Sequence, residues 1–216
     1  MTQEKHGEYE KHLYDYMYNN EYCDTTGYWR EIVGYIVATS QTDDKLLDIG
    51  CGHGDPTRVI CSHGRNCTGV DISLAGLNSK RKTGHEYDEF IPACSFTEAP
   101  LWDMPFDDNA FDYTFSFDVM EHLITETVMA SIKEIYRITR VKTFHCIATI
   151  PSTANLGIHK TVMPIEWWRK RFYGLNTKGI DVHVCGHIEF LNLHGELCGR
   201  DPAGRGILPV IRSRQT

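Results

Sequence analysis

The chain has 216 residues, 41% of them apolar, and its 22 Lys and Arg against 29 Asp and Glu leave a formal net charge of −7. That length suits one domain with a sizeable core, and the acidic balance without a long basic run argues against a surface given over to polyanions, making nucleic acid the lesser partner expectation. The cysteines (Cys23, Cys51, Cys61, Cys67, Cys94, Cys146, Cys185 and Cys198) form no CxxC pair, the first residues lack a signal-peptide core, and no apolar run approaches the roughly eighteen residues of a membrane span, so a reduced, cytoplasmic protein is expected.

Residues 1–40 stand apart by their tyrosines (Tyr9, Tyr14, Tyr16, Tyr18, Tyr22, Tyr28 and Tyr35). The apolar positions between Tyr28 and Val37 recur at helical spacing and predict a helix from about Thr26 to Thr39, capped by Thr25 or Thr26. This N-terminal stretch reads as a helical segment, either plain core or a lid, within one domain spanning 1–216. Strands are then predicted near 45–49, 67–71, 89–94, 112–117 and 143–150, separated by helices near 55–63, 73–82 and 124–138. Such alternation means an α/β, Rossmann-like, doubly wound and mostly parallel sheet of about seven strands with helices on both faces. A helix near 164–173 and strand-like runs at 180–184, 187–193 and 206–212 complete the chain.

The most specific segment is Leu46-Leu47-Asp48-Ile49-Gly50-Cys51-Gly52-His53-Gly54, followed by Val70-Asp71. An apolar strand enters a glycine turn where the backbone can approach a ligand, and the carboxylate about twenty residues on can bind both hydroxyls of an adenosine ribose. A tight strand-to-helix turn without a ligand is the plainer reading. A dinucleotide fingerprint would need glycine at 55 or 57, where the chain has Asp55 and Thr57, and Asp55 would repel a pyrophosphate at the helix N-terminus. The remaining pattern, D-x-G-x-G-x-G, resembles that of the class I S-adenosylmethionine-dependent methyltransferases. Trp102 to Asp112, Tyr113 to Leu123 with its Glu121-His122-Leu123, and Glu134 to Ile138 extend the resemblance from about Leu46 to Ile150.

The resemblance implies S-adenosylmethionine as cofactor and S-adenosylhomocysteine as product, with Asp48, Gly50, Cys51, Gly52, Gly54, Asp71, Ile72, Leu101, Trp102 and Phe117 around the cofactor. It also implies an antiparallel hairpin closing the sheet at the C-terminus. Two departures stand out. Pro100 occupies the position of the family's acid for the adenine amino group, for which Glu98 or Asp103 can substitute, and Thr139-Arg140-Val141-Lys142-Thr143 replaces a Pro-Gly-Gly turn.

Methyl transfer from a sulfonium is an in-line displacement in which positioning does most of the work. A hydroxyl acceptor must also lose its proton, and His122 is the first candidate base, followed by His159, Asp118 and Glu121. Against that, His122 can be a helix-starting contact residue, His159 an exposed side chain and Glu121 a first-turn carboxylate complementing the helix dipole. His183, Cys185, His187 and Glu189 alternate on one strand, a poor tetrahedral arrangement, so no metal is expected. Trp167-Trp168-Arg169-Lys170-Arg171 reads as an amphipathic helix before it reads as a nucleic-acid contact, and the resemblance lets it wall the acceptor pocket. The expected function is O- or N-methylation of a small-molecule or glycan-type acceptor. The alternatives are a nucleic-acid or protein methyltransferase and a non-catalytic S-adenosylmethionine-binding protein; oligomeric state is not legible.

Overall fold

The computed structural model describes residues 3–20, 29–78, 94–152 and 157–186. Two helices, α1 (Gln3–Asn19) and α2 (Trp29–Thr39), precede a run of strands and helices: β1 (Lys45–Ile49), α3 (Asp55–Ser62), β2 (Asn66–Asp71), α4 (Ala75–Asn78), β3 (Cys94–Glu98), β4 (Phe111–Phe117), a 3-10 turn (Met120–His122), α5 (Thr125–Ile138), β5 (Thr139–Ile147), α6 (Ile165–Leu175) and β6 (Asp181–Gly186). The sheet order is β3-β2-β1-β4-β5-β6, and every pairing is parallel. The order reverses direction between β1 and β4, so the crevice beyond their carboxyl ends is where such a fold receives ligands.

Both faces of the sheet are buried, as parallel strands linked by helical crossovers require. Leu46 packs with Val33, Ile36, Ile60 and Phe115 on the α2 and α3 side. Its neighbour Leu47 points the other way, into a core with Ile132, Ile135, Trp168 and Phe172 from α5 and α6. Phe111 and Phe115, four residues apart on β4, face opposite sides because the register shifts between Phe111 and Tyr113, as a bulge does. The polar residues turned toward α5 and α6 satisfy one another: Thr114 Oγ1 lies 2.7 Å from Thr143 Oγ1, and His145 bridges Ser116 Oγ and Thr143 Oγ1 at 2.7 Å each. His145 stacks on Phe172, and burial pushes its pKa down to about 3.

Several boundaries differ from expectation. β3 is described over 94–98 while 89–93 lie outside the described residues, and of the helix expected at 73–82 the described part is 75–78. β5 begins at Thr139 because α5 passes straight into it; Thr139 Oγ1 donates to the Ile135 carbonyl at 2.6 Å, so no turn stands in place of the family's Pro-Gly-Gly. The antiparallel hairpin is corrected at its first strand: β6 pairs with β5 in parallel register, Cys146 opposite Cys185. Its cause is the α6 crossover, which carries the chain back to the starting end of the sheet before β6 begins. Six strands are described; the runs at 187–193 and 206–212, and the proposed cap at Thr25 or Thr26, lie outside the described residues. Among the described residues no helix is long and apolar enough to cross a membrane.

Candidate active site

A cavity of about 500 Å³ opens over the carboxyl ends of β1, β2 and β4, within the range of small-molecule sites. Asp48, Gly50, Cys51, Gly52, Asp71, Ile72, Leu101, Trp102, Phe117, His122 and His159 all line it. Gly54 does not, and this corrects its expected place. A Cβ at Gly54 would come within 2.9 Å of Leu77 and Phe96, and one at Gly50 within 2.3 Å of Val119, so these two glycines answer to the fold's own packing. Gly52 is different: its φ of +52° puts it in the left-handed region, and among the described residues the only side chain near its missing Cβ is Tyr18, whose hydroxyl would lie 3.2 Å away.

Asp71 ends β2, nearly buried, with Oδ2 accepting the Gly52 N–H at 2.9 Å and Oδ1 accepting the Ser73 N–H at 3.0 Å. Each oxygen keeps a further lone pair, so the carboxylate can still receive two hydroxyls. Burial raises its pKa to about 6, against hydrogen bonding from the backbone of Ser73, Gly52 and Ile72. Asp48 is buried more completely and accepts the Thr57 hydroxyl at 2.7 Å. Burial lifts its pKa from 3.8 to about 7, with the Asp71 carboxylate adding to the rise.

A stability prediction follows from Asp48. Its folded-state pKa lies above the unfolded one, so the folded chain holds the extra proton between about pH 4 and 7, and stability is lost as pH rises through that window. Asp48→Asn removes the titration and should therefore gain on wild type by up to about 4 kcal/mol between pH 4 and 8. Urea melts of the ligand-free proteins at both pH values check it; a gap independent of pH would contradict it.

The charge of the lining is one-sided. Glu10, Asp48, Asp55, Asp71 and Asp118 contribute carboxylates and His6, His53, His122 and His159 imidazoles, while no Lys or Arg is among the described lining residues. Such a wall suits a cationic ligand and opposes a phosphate. The fit to an adenosyl sulfonium is therefore favourable in charge.

Helix α1, not specified as a helix by its apolar pattern, supplies one side of the cavity. His6, Glu10, Tyr14 and Tyr18, spaced by four, lie on one face of it and all line the site. His6 stacks on Trp102 with ring centroids 5.9 Å apart. Both nitrogens of His6 and Oε1 of Glu10 are buried without a hydrogen-bond partner, and burial raises the Glu10 pKa. Outside the cavity the helix is held by Lys11 to Glu98 (2.9 Å) and by the Ser73 hydroxyl donating to Asp15 (2.5 Å). Glu98 is thus engaged away from the cavity, and neither it nor Asp103 is among the lining residues; the expected substitutes for the adenine acid are not placed there.

The turn after β4 holds the acceptor-side candidates. Asp118 has a positive φ of 53°, and its N–H donates to Cys146 at 3.1 Å. His122 Nδ1 lies 2.5 Å from the Tyr14 hydroxyl; burial and the facing His159 press its pKa down to about 3, so the ring is neutral. Glu121 belongs to the 3-10 turn and not to the first turn of α5. It is fully buried, accepting the Ala148 N–H at 3.1 Å, which corrects its reading as a dipole-complementing surface carboxylate. His183 and Cys185 do not share an environment: His183 is exposed beside Asp181 and Cys185 is buried, while His187 and Glu189 lie outside the described residues. Trp168 is buried and Arg171 sits over the Trp167 ring, but no α6 residue lines the cavity, so the helix does not wall it.

Residues 47–147 match the family described as methyltransferase domain. Over 99 residues the chain is 38% identical to 24-methylenesterol C-methyltransferase 2 of Arabidopsis thaliana, covering 44% of this chain and 26% of that protein. Over 96 residues it is 31% identical to the tocopherol O-methyltransferase, chloroplastic, of the same plant, again covering 44% and 26%. The solved structure of Haemonchus contortus phosphoethanolamine N-methyltransferase 2 in complex with S-adenosyl-L-methionine shares the fold, with a TM-score of 0.54 at 20% identity over 76% of this chain and 40% of that one. The chain spans about a quarter of the length of these curated relatives. A parallel sheet with a glycine loop and a carboxylate at its switch point defines a nucleoside-cofactor fold. Within that class, residues 47–147 are similar to the methyltransferase-domain family.

Proposed function

We propose that the chain binds S-adenosylmethionine in the β1–β2–β4 crevice and methylates a small-molecule acceptor at oxygen or nitrogen. The observation that carries this reading is the acidic lining around Gly52 and Asp71, without lysine or arginine among the described residues. S-adenosylmethionine supplies an activated methyl group on a cationic sulfur. Asp71 takes the ribose hydroxyls, Leu101 and Trp102 flank the adenine, and Asp48, Cys51, Ile72 and Phe117 complete the pocket. α1 serves as a lid whose Tyr14 and Tyr18 offer aromatic faces to a cation. His122 and His159 face the acceptor, and their task is to receive or direct its proton. The sterol, tocopherol and phosphoethanolamine enzymes named above support a small-molecule acceptor, and a cavity of about 500 Å³ suits one.

Calorimetric titration with S-adenosylmethionine, S-adenosylhomocysteine and a nicotinamide dinucleotide tests the cofactor. The first two should bind and the last should not. Asp71→Ala should weaken binding by about 1.5–3 kcal/mol, the worth of hydrogen bonds to a charged group, which is roughly ten- to hundredfold in affinity. Unchanged affinity in that variant would remove Asp71 from the site. Transfer of labelled methyl groups to fractionated cell extract, with and without nuclease, identifies the acceptor class.

A further inference from the structure

The 3-10 turn Met120–His122 is clasped by the segment 157–161: the N–H groups of Lys160 and Thr161 both donate to the Glu121 carbonyl, at 2.8 and 2.9 Å. The clasp brings Glu121, His122 and His159 together so that one ligand-capable atom from each lies within 4.8 Å of the others. Glu121 is fully buried, with Oε1 fixed by the Ala148 N–H and Oε2 without a hydrogen-bond donor among the described residues. It also faces the half-buried Asp118 carboxylate.

The two rings are held as metal-binding imidazoles are held. His159 Nδ1 donates to the Ile150 carbonyl at 2.8 Å, which leaves the lone pair on Nε2. His122 Nδ1 is engaged by the Tyr14 hydroxyl, and the ring centroids of the two histidines are 5.0 Å apart. The carbonyl on Nδ1 fixes both tautomer and orientation of His159, and the Tyr14 hydroxyl fixes the orientation of His122, whose Nε2 is free for an ion when Nδ1 donates to that hydroxyl. His122 and His159 line the cavity, and Glu121 stands behind them.

We propose that Glu121, His122 and His159 form a site for a divalent first-row transition ion, with its remaining coordination positions open to the cavity. Two imidazoles with a carboxylate favour manganese, iron or zinc over the all-oxygen sites that hold magnesium and calcium. Ligands about 2.0–2.2 Å from a shared ion lie roughly 3–4 Å apart, so the cluster closes on the ion by about an ångström. Three protein ligands with an open position are the arrangement of a catalytic metal and not of a structural one. Its use rests on the methyltransferase reading: with the lone pairs of both histidines on the ion, an acceptor hydroxyl held there gives up its proton to solvent water and not to His122 or His159. The acceptor oxygen then bonds to the methyl carbon while the carbon–sulfur bond breaks, its electron pair remaining on sulfur.

The full chain, stripped with chelator and free of cofactor and acceptor, is titrated with Mn²⁺ and followed by electron paramagnetic resonance, with Co²⁺ absorption as a second probe. One ion per chain is expected, with Co²⁺ bands free of thiolate charge transfer. His159→Ala, at a partly exposed position, should lower Mn²⁺ affinity at least about tenfold with an unchanged circular dichroism spectrum. Glu121→Gln should do the same. Absence of stoichiometric binding, wild-type affinity in His159→Ala, or a thiolate band placing Co²⁺ on cysteine would each overturn the proposal. S-adenosylmethionine affinity, measured separately, tells whether the cofactor reading stands when the metal reading falls.

Discussion

Gly52→Val is expected to abolish S-adenosylmethionine binding while the sheet still folds. Valine dislikes the left-handed backbone that Gly52 adopts at φ +52°, at a cost of about 1–2 kcal/mol. Its Cβ would stand 3.2 Å from the Tyr18 hydroxyl, and its two methyl groups would enter the space between the loop and α1. Relieving that crowding moves the Gly52 N–H away from Asp71 Oδ2, to which it now donates at 2.9 Å, and so misplaces the ribose carboxylate as well. The core strands are spared because the contact is with α1 and the cavity. A circular dichroism melt with a calorimetric titration checks both halves; a variant that binds like wild type would make the glycine loop a purely structural turn.

His122→Ala should lower turnover by about 10² to 10⁴ with S-adenosylmethionine affinity nearly intact, the signature of a group used in the transition state. Its ring is neutral, half-buried at the cavity wall and held by Tyr14 against His159, so with Nδ1 donating to the Tyr14 hydroxyl its Nε2 is available to the acceptor or to an ion bound there. Measuring kcat, KM and the cofactor dissociation constant separates the cases. A fall in cofactor affinity with little change in kcat would make His122 a binding residue and move the proton's destination to His159, Asp118 or the substrate itself.

What local pattern encodes, the sequence displayed well. β1, β2 and β4 are apolar runs bounded by glycine or aspartate, and the loop residues from Asp48 to Gly52 reach the cavity with Asp71 and Trp102 as expected. The misses have nonlocal causes. Gly54 reads like its neighbours, yet Leu77 and Phe96, distant in sequence, decide what stands beside it. Glu121 looks like a helix-start carboxylate until the 157–161 segment buries it. The direction of β6 depends on the α6 crossover, which no strand-like run reveals. α1 escaped a search for apolar periodicity because the face it turns to the protein carries His6, Glu10, Tyr14 and Tyr18, polar groups at helical spacing.

That same face gives α1 an uneven hold on the domain. A buried polar atom left without a hydrogen bond costs about 1–3 kcal/mol, and among the described residues His6 and Glu10 carry three such atoms, of which His6 Nε2 and Glu10 Oε1 face each other at 3.9 Å. The seating of α1 is weakened at those atoms, and a ligand that offers them hydrogen bonds would strengthen it.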